Sequence, residues 1–419
     1  MRSLLIPLAI LGLSSHAQAQ ALNSTGLMSA LQAAGLTALA TALQRANETK
    51  AGQDLIGELL NGSSNHTVFA PNNAAFDAPG VSAIANNPAE IANILSYHVV
   101  PGNFVNIADG NSTLISATFP SVTVARTSLT NSTLVNLEGN KPQVVAWTRN
   151  DTSNSKVYFL NQSPEVTVLS TTAVGNLLIA TISGVLIPPP DIEKVLAANN
   201  LMSLNGIVSN VPVPSFYSNG TNATVEQALE ANKTRGFTFF CPNDAAIKDA
   251  ESALTGLTNN QTALVTLLAN HYVNGTASYS PELTSSTSEL VSAAGQSFSF
   301  ISNSSGTYVA SSNGASAKIV KTDALVENGV IHIVDHVLVN LNRDDAKASS
   351  AYSSATAAAA KSATQTGPIS PTSTSSSGGK PGGGKGSGNS ALAVSVASAG
   401  GAMLVGAVGW ILFMGVVVG

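Results

Sequence analysis

One cysteine, Cys241, serves all 419 residues, so no disulfide can form within the chain. Each core must therefore hold by packing alone. Cys241 lies inside an apolar run and reads as a buried thiol. Charge is scarce as well: 10% of the residues are charged, against about 25% in an average domain. No basic block occurs and the net charge is −5, which excludes the Lys/Arg stripe that nucleic acid selects. Catalytic signatures are missing. There is no Gly-x-Ser-x-Gly elbow, no His-Glu-x-x-His, and no His or Cys cluster at metal spacing. Gly379 to Lys385 has the Gly-x4-Gly-Lys spacing of a phosphate loop. Gly386 stands where Ser or Thr would meet Mg²⁺, and the surroundings are of low complexity, so no such loop is expected. A carboxylate pair of the glycosidase kind would leave no motif, but acids are few. The chain is expected to be no enzyme and to need no cofactor.

What the chain does contain is a repeat. Thr67-Val68-Phe69-Ala70-Pro71-Asn72-Asn73-Ala74-Ala75-Phe76 recurs as Thr238-Phe239-Phe240-Cys241-Pro242-Asn243-Asp244-Ala245-Ala246-Ile247. Each copy reads as a buried strand carrying Phe69 or Phe240. A stop at Pro71 or Pro242 follows, then an Asn or Asp cap and a helix. Asn176 to Ile187 aligns without gaps onto Asn328 to Val339, an offset of 152 (328 − 176), while the first motif pair is offset by 171 (238 − 67). The first copy therefore carries extra residues in its β region. Two domains of similar fold are predicted, over 22–187 and 191–341, with Pro188-Pro189-Pro190 as a stiff boundary.

Leu27, Leu31, Leu36, Leu39 and Leu43 recur at helical spacing within Leu22 to Ala46. Ile91, Ile94, Leu95 and His98 form an i, i+3, i+4, i+7 set, repeated as Leu264, Leu267, Leu268 and His271. Both histidines thus end an apolar helical stripe. That position implies a buried imidazole with its nitrogens bonded locally. Between residues 104 and 190 the short Val/Ile/Thr runs predict strands, among them Ser121 to Ala125, Gln143 to Trp147 and Lys156 to Leu160.

The flanks set the cellular context. Residues 1–19 have the Arg2 start, the Leu4 to Leu13 apolar core and the Ala17-Gln18-Ala19 cleavage pattern of a secretory signal. Residues 344–390 are dominated by Ala, Ser, Thr, Gly, Lys and Pro and read as a disordered, O-glycosylated stalk. Residues 391–419 form an apolar tail with no basic residue after Lys385, which matches a GPI attachment signal. Asn389 is the favoured attachment residue, with Gly388 and Ser387 as alternatives. Asn-x-Ser/Thr sequons occur at Asn23, Asn47, Asn61, Asn65, Asn111, Asn131, Asn150, Asn161, Asn219, Asn222, Asn232, Asn260, Asn274 and Asn303. Asn161 precedes Ser163-Pro164 and is expected to be used less.

Thr67 to Phe76, Tyr97-His98-Val99-Val100-Pro101-Gly102 and the closing apolar strand together resemble the fasciclin-like domain. The second copy carries Thr238 to Ile247, His271 and Asn328 to Asp335. With the signal, stalk and tail, the layout resembles fungal cell-surface fasciclin proteins. The resemblance implies an α+β fold, a β-sandwich or wedge flanked by helices. It implies adhesion or organisation of the wall or matrix, with surface glycans, proteins and other fasciclin domains as partners. It also implies a binding role for the Tyr97-His98 region, and by position for His271, although Asn270 stands where the second copy would need its Tyr. The first copy's closing strand begins Asn176-Leu177-Leu178-Ile179-Ala180 and lacks the Gly and His of the second. A surface module that binds a polysaccharide or small ligand near Tyr97 and His98 is the alternative reading.

Overall fold

The computed structural model describes residues 23–78, 80–81, 86–102, 104, 122–149, 156–213, 223–229, 234–257, 259–283, 289–360 and 367–369. The signal segment, the tail, Asn389, and the sequons at Asn111, Asn150, Asn219, Asn222 and Asn232 lie outside the described residues. All the described residues fall in one compact unit.

Domain 1 opens with α1 (Ser24–Ala33), α2 (Thr37–Ala46) and α3 (Lys50–Leu60). The helical stretch expected over Leu22 to Ala46 is thus two helices. Gly35 turns the chain between them at φ +74°, a conformation that costs glycine little. Next come β1 (His66–Pro71), a 3₁₀ turn (Asn73–Asp77), α4 (Pro88–Tyr97) and β2 (Val99–Pro101). The predicted strands appear as β3 (Val122–Arg126), β4 (Val144–Arg149) and β5 (Val157–Phe159). A second 3₁₀ turn, Glu138–Asn140, precedes β4. β6 (Val168–Val174) and β7 (Leu177–Ile182) close the domain. One sheet has the order β2-β1-β7-β6 with β1 and β7 parallel; the other is β3-β4-β5. Alternation along β1 and β7 sorts the two cores. Ala70, Leu177 and Ile179 pack under the helices. Phe69, Ala180 and Ile182 pack against Trp147 and Phe159 of the second sheet.

Domain 2 repeats this plan. It runs through α5 (Ile192–Ala198), α6 (Met202–Asn210), β8 (Pro212–Val213), β9 (Ala223–Thr224) and α7 (Val225–Ala228). β10 (Phe237–Pro242), α8 (Asp244–Asp249), α9 (Glu251–Leu257), α10 (Gln261–Ala269) and β11 (Tyr272–Asn274) follow. α11 (Ser280–Leu283), β12 (Phe298–Asn303), β13 (Gly306–Ser311), β14 (Ser316–Val326) and β15 (Gly329–Val334) complete it. Here the main sheet has the order β11-β10-β15-β14-β13-β12, again with a parallel pair, β10 and β15, and β8 pairs with β9 in a small second sheet. The two copies differ in bulk at the start of that pair. A Cβ on Gly329 would meet the Phe237 ring at 2.6 Å, whereas β1 sets His66 opposite Leu177.

The Pro188-Pro189-Pro190 boundary is no free hinge. Pro188 and Pro189 are buried, and the Pro190 carbonyl accepts from the Glu327 N–H at 3.0 Å. The Asn136 N–H donates to the Glu327 carbonyl at 2.9 Å, and the Gln143 amide donates to the Val326 and Glu327 carbonyls, both at 3.3 Å. Tyr279, Leu325 and Val330 of domain 2 belong to the apolar cluster built around Trp147 of domain 1.

The stalk expected over 344–390 is corrected at its start, where Asp345–Ala359 forms a helix, α12. Alanine has the highest helix propensity, and the Asp344 carboxylate caps the helix by accepting from the Lys347 N–H at 2.9 Å. α12 lies across both domains on three glycines with positive φ. A Cβ on Gly295 would meet the Asp344 carbonyl at 2.0 Å, on Gly275 the Tyr352 ring at 2.9 Å, and on Gly139 the Ala359 carbonyl at 2.4 Å. The chain then returns to domain 1. Ile369 is buried in the Trp147 cluster and its N–H donates to the Val124 carbonyl at 2.8 Å. Among the described residues no helix is long and apolar enough to cross a membrane.

Candidate functional site

The repeated motif builds the same junction twice. Asn72 caps its own 3₁₀ turn, accepting from the Ala75 N–H at 2.9 Å, and Asn243 caps α8 through the Ala246 N–H at 2.8 Å. The next residue caps a different helix. α2 and α6 are preceded by Leu36 and Leu201, which offer no side-chain cap. Asn73 accepts from the Ala38 N–H and Asp244 from the Ser203 N–H, each at 3.0 Å. The Pro-Asn-Asn/Asp sequence therefore joins the strand end to two helices at once.

Tyr97, His98 and His271 are all buried, with 1%, 1% and 2% of their surface exposed. The Tyr97 hydroxyl donates to the Val144 carbonyl at 3.0 Å, linking α4 to β4. His98 Nδ1–H donates to the Ile94 carbonyl at 2.7 Å, and Nε2 accepts from the Leu186 N–H at 2.9 Å. His271 repeats this with Leu267 at 2.8 Å and Leu338 at 2.9 Å. Each pattern fixes the neutral Nδ1–H tautomer. Burial lowers both pKa values to about 4. Each ring clamps the end of its helix to the segment after the closing strand. The three side chains expected to take part in binding thus lie within the fold. Their polar atoms are spent inside the fold, and none faces solvent. His98 does present part of its ring to an apolar cavity beneath α2.

A second titratable cluster lies at the domain join. Ser280 Oγ donates to the Asp323 carboxylate, and the Ser280 N–H donates to Asp323 Oδ1 at 2.8 Å. His332 Nε2–H donates to the Ser278 carbonyl at 3.0 Å. Asp323 and His332 are fully buried, so the cluster is closed to any substrate. No group of three or more His, Cys, Asp or Glu able to hold a metal occurs among the described residues. Cys241 is buried, which pushes its thiol pKa well up and matches its reading as inert.

The described sequon residues all reach the surface. Asn23, Asn47, Asn61, Asn65, Asn161, Asn260 and Asn303 are exposed, and Asn131 and Asn274 are half-buried. Asn161 differs in one respect: its amide Nδ2 donates to the Asp323 carbonyl of domain 2 at 2.7 Å. A glycan on that nitrogen would compete with a bond that joins the domains.

A parallel strand pair under a helical cap, clamped by a buried histidine and repeated in tandem, defines a class of paired α+β modules. The chain belongs to the fasciclin domain family, whose model matches residues 17–188 and 213–340. A curated relative, the fasciclin-like arabinogalactan protein of Arthroderma benhamiae, is 26% identical over 308 residues, covering 72% of this chain. The chain spans 63% of that relative's length. Among solved structures, a FAS1 domain pair from the insect cell adhesion molecule Fasciclin I aligns with a TM-score of 0.32 and 19% identity. That alignment covers 71% of this chain and 97% of the other.

Proposed function

We propose that this chain is a secreted, GPI-anchored cell-surface glycoprotein that acts in adhesion or in organising the cell wall or extracellular matrix. The observation that carries the reading is the fixed pairing of two fasciclin domains through a shared core, hydrogen bonds and the α12 strap. Such a pair presents surfaces at set spacing to glycans, wall proteins or other fasciclin domains. Weak contacts then multiply over many copies on one surface. The name of the fungal relative, an arabinogalactan protein, fits a wall setting. The exposed sequon residues fit a glycosylated exterior.

Two measurements test this. Phosphatidylinositol-specific phospholipase treatment of intact cells should release the protein, and mass spectrometry should place the anchor remnant at residues 387–389. Deleting the gene should weaken cell–cell or cell–surface adhesion or sensitise cells to wall stress. Retention on the cell after lipase treatment, together with normal adhesion and wall resistance in the deletion strain, would overturn the proposal.

A further inference from the structure

The two domains place a cavity at the same point of the fold, and among the described residues only one of the two is filled. In domain 1 the space between α2, the 3₁₀ turn and α4 measures about 260 Å³ and is walled by Ala42, Phe76, Val81, Ile94 and the ring of His98. The matching space in domain 2 measures about 20 Å³ and is walled by Ile207, Ile247, Leu254, Leu267 and His271. The trans-caps set the register: Ala38 corresponds to Ser203, so Ala42 corresponds to Ile207 and Arg45 to Asn210. In domain 2 the Ile207 side chain stands against this space. Domain 1 has Ala42 where domain 2 has Ile207.

The walls of the open cavity are chemically one-sided. Its lining is almost wholly apolar, and the His98 nitrogens are spent on Ile94 and Leu186. Among the described residues Arg45 is the single charged side chain that lines it. Among the described residues no carboxylate pairs with that guanidinium. Sugars need convergent hydrogen-bonding groups, which these walls lack. An engineered apolar cavity of about 150 Å³ takes up benzene, so this one has room for a body roughly twice as large.

We infer that the cavity of domain 1 is a binding site for a small amphipathic acid, with an aliphatic chain among Ala42, Phe76 and Ile94 and a carboxylate on Arg45. The site lies beneath the helical cap, away from the domain join, and goes beyond the adhesive role proposed above. Among its described residues domain 2 carries no such site.

The test uses calorimetric titration of the purified chain with decanoate, decanol and decyltrimethylammonium, each below its micellar concentration. Decanoate should bind at one site per chain, about tenfold tighter than decanol, with the cation weakest. Arg45→Asn copies domain 2 and should abolish the preference for decanoate over decanol while leaving decanol binding intact. Ala42→Ile also copies domain 2 and should remove binding of all three. An unchanged or raised unfolding temperature for Ala42→Ile would show that the loss comes from filling the site. If that variant fails to fold, the Arg45→Asn selectivity decides alone. No decanoate binding, equal binding of the three probes, or binding that survives in a folded Ala42→Ile chain would each overturn the inference. An occupant supplied by the chain itself would appear as the first of these.

Discussion

Phe69 and Phe240 hold corresponding places in β1 and β10, yet their neighbours differ. Phe69 meets Trp147 at 5.4 Å and Phe159 at 4.8 Å edge to face, whereas Phe240 meets Phe298 at 5.0 Å and stacks on His332 at 5.7 Å. Truncating a fully buried ring leaves a cavity that rigid neighbours cannot close. Phe69→Ala should therefore cost about 3–5 kcal/mol, measured by urea unfolding; an unchanged midpoint would refute its place in the core. The clamping histidines predict a pH effect. Burial holds folded His98 and His271 at about 4, below the ordinary 6.5. Between those values the unfolded chain binds more protons than the folded one. Stability is then full above the unfolded pKa and declines as pH falls towards the folded one, by about 3 kcal/mol per histidine. Urea unfolding from pH 7.5 down to pH 4 reads this slope directly. His98→Gln should remove about half of it.

At the scale of elements, α12 rests on contacts that leave almost no mark in the sequence. Its close approach to Gly139, Gly275 and Gly295 relies on missing side chains, and its own residues are mostly Ala and Ser. Hydrophobic periodicity cannot reveal such packing, so the segment reads as low complexity. Gly139→Val adds a branched side chain at φ +66° against the Ala359 carbonyl. Hydrogen exchange in residues 345–359 and 367–369 should rise while β1 and β7 stay protected; unchanged exchange would show that α12 is not held there. The strand–Pro–Asn–helix unit was legible because each residue type carries its own local reason. The packing place of His98 and His271 was legible from spacing. Their acceptors and donors at Ile94, Leu186, Leu267 and Leu338 were not, because backbone groups belong to every residue type. The open cavity was also hidden. It depends on Ala42 facing a space that Ile207 fills in the other copy, a comparison that needs the three-dimensional register.

At the scale of the whole molecule, the domain join explains why two sequence domains should unfold together. Asn136, Gln143 and Asn161 all reach backbone carbonyls of domain 2, and Leu325 sits within the Trp147 cluster. Calorimetry should give one transition for the chain, with matching calorimetric and van't Hoff enthalpies. Leu325→Asp, which buries a charge at the join, should split it into two; two transitions in the unaltered chain would contradict the shared core. The return of the chain to Val124 through Ile369 has a mechanical consequence. Tension applied beyond residue 369 enters domain 1 at β3 and bypasses domain 2, whose last strand ends at Val334. While that clasp holds, the path from residue 369 to β3 does not run through domain 2. When it yields, α12 peels and the chain pays out about 30 residues, on the order of 100 Å of extended length. A pulled molecule would lengthen at this strap before either sheet is torn, as a shock absorber does.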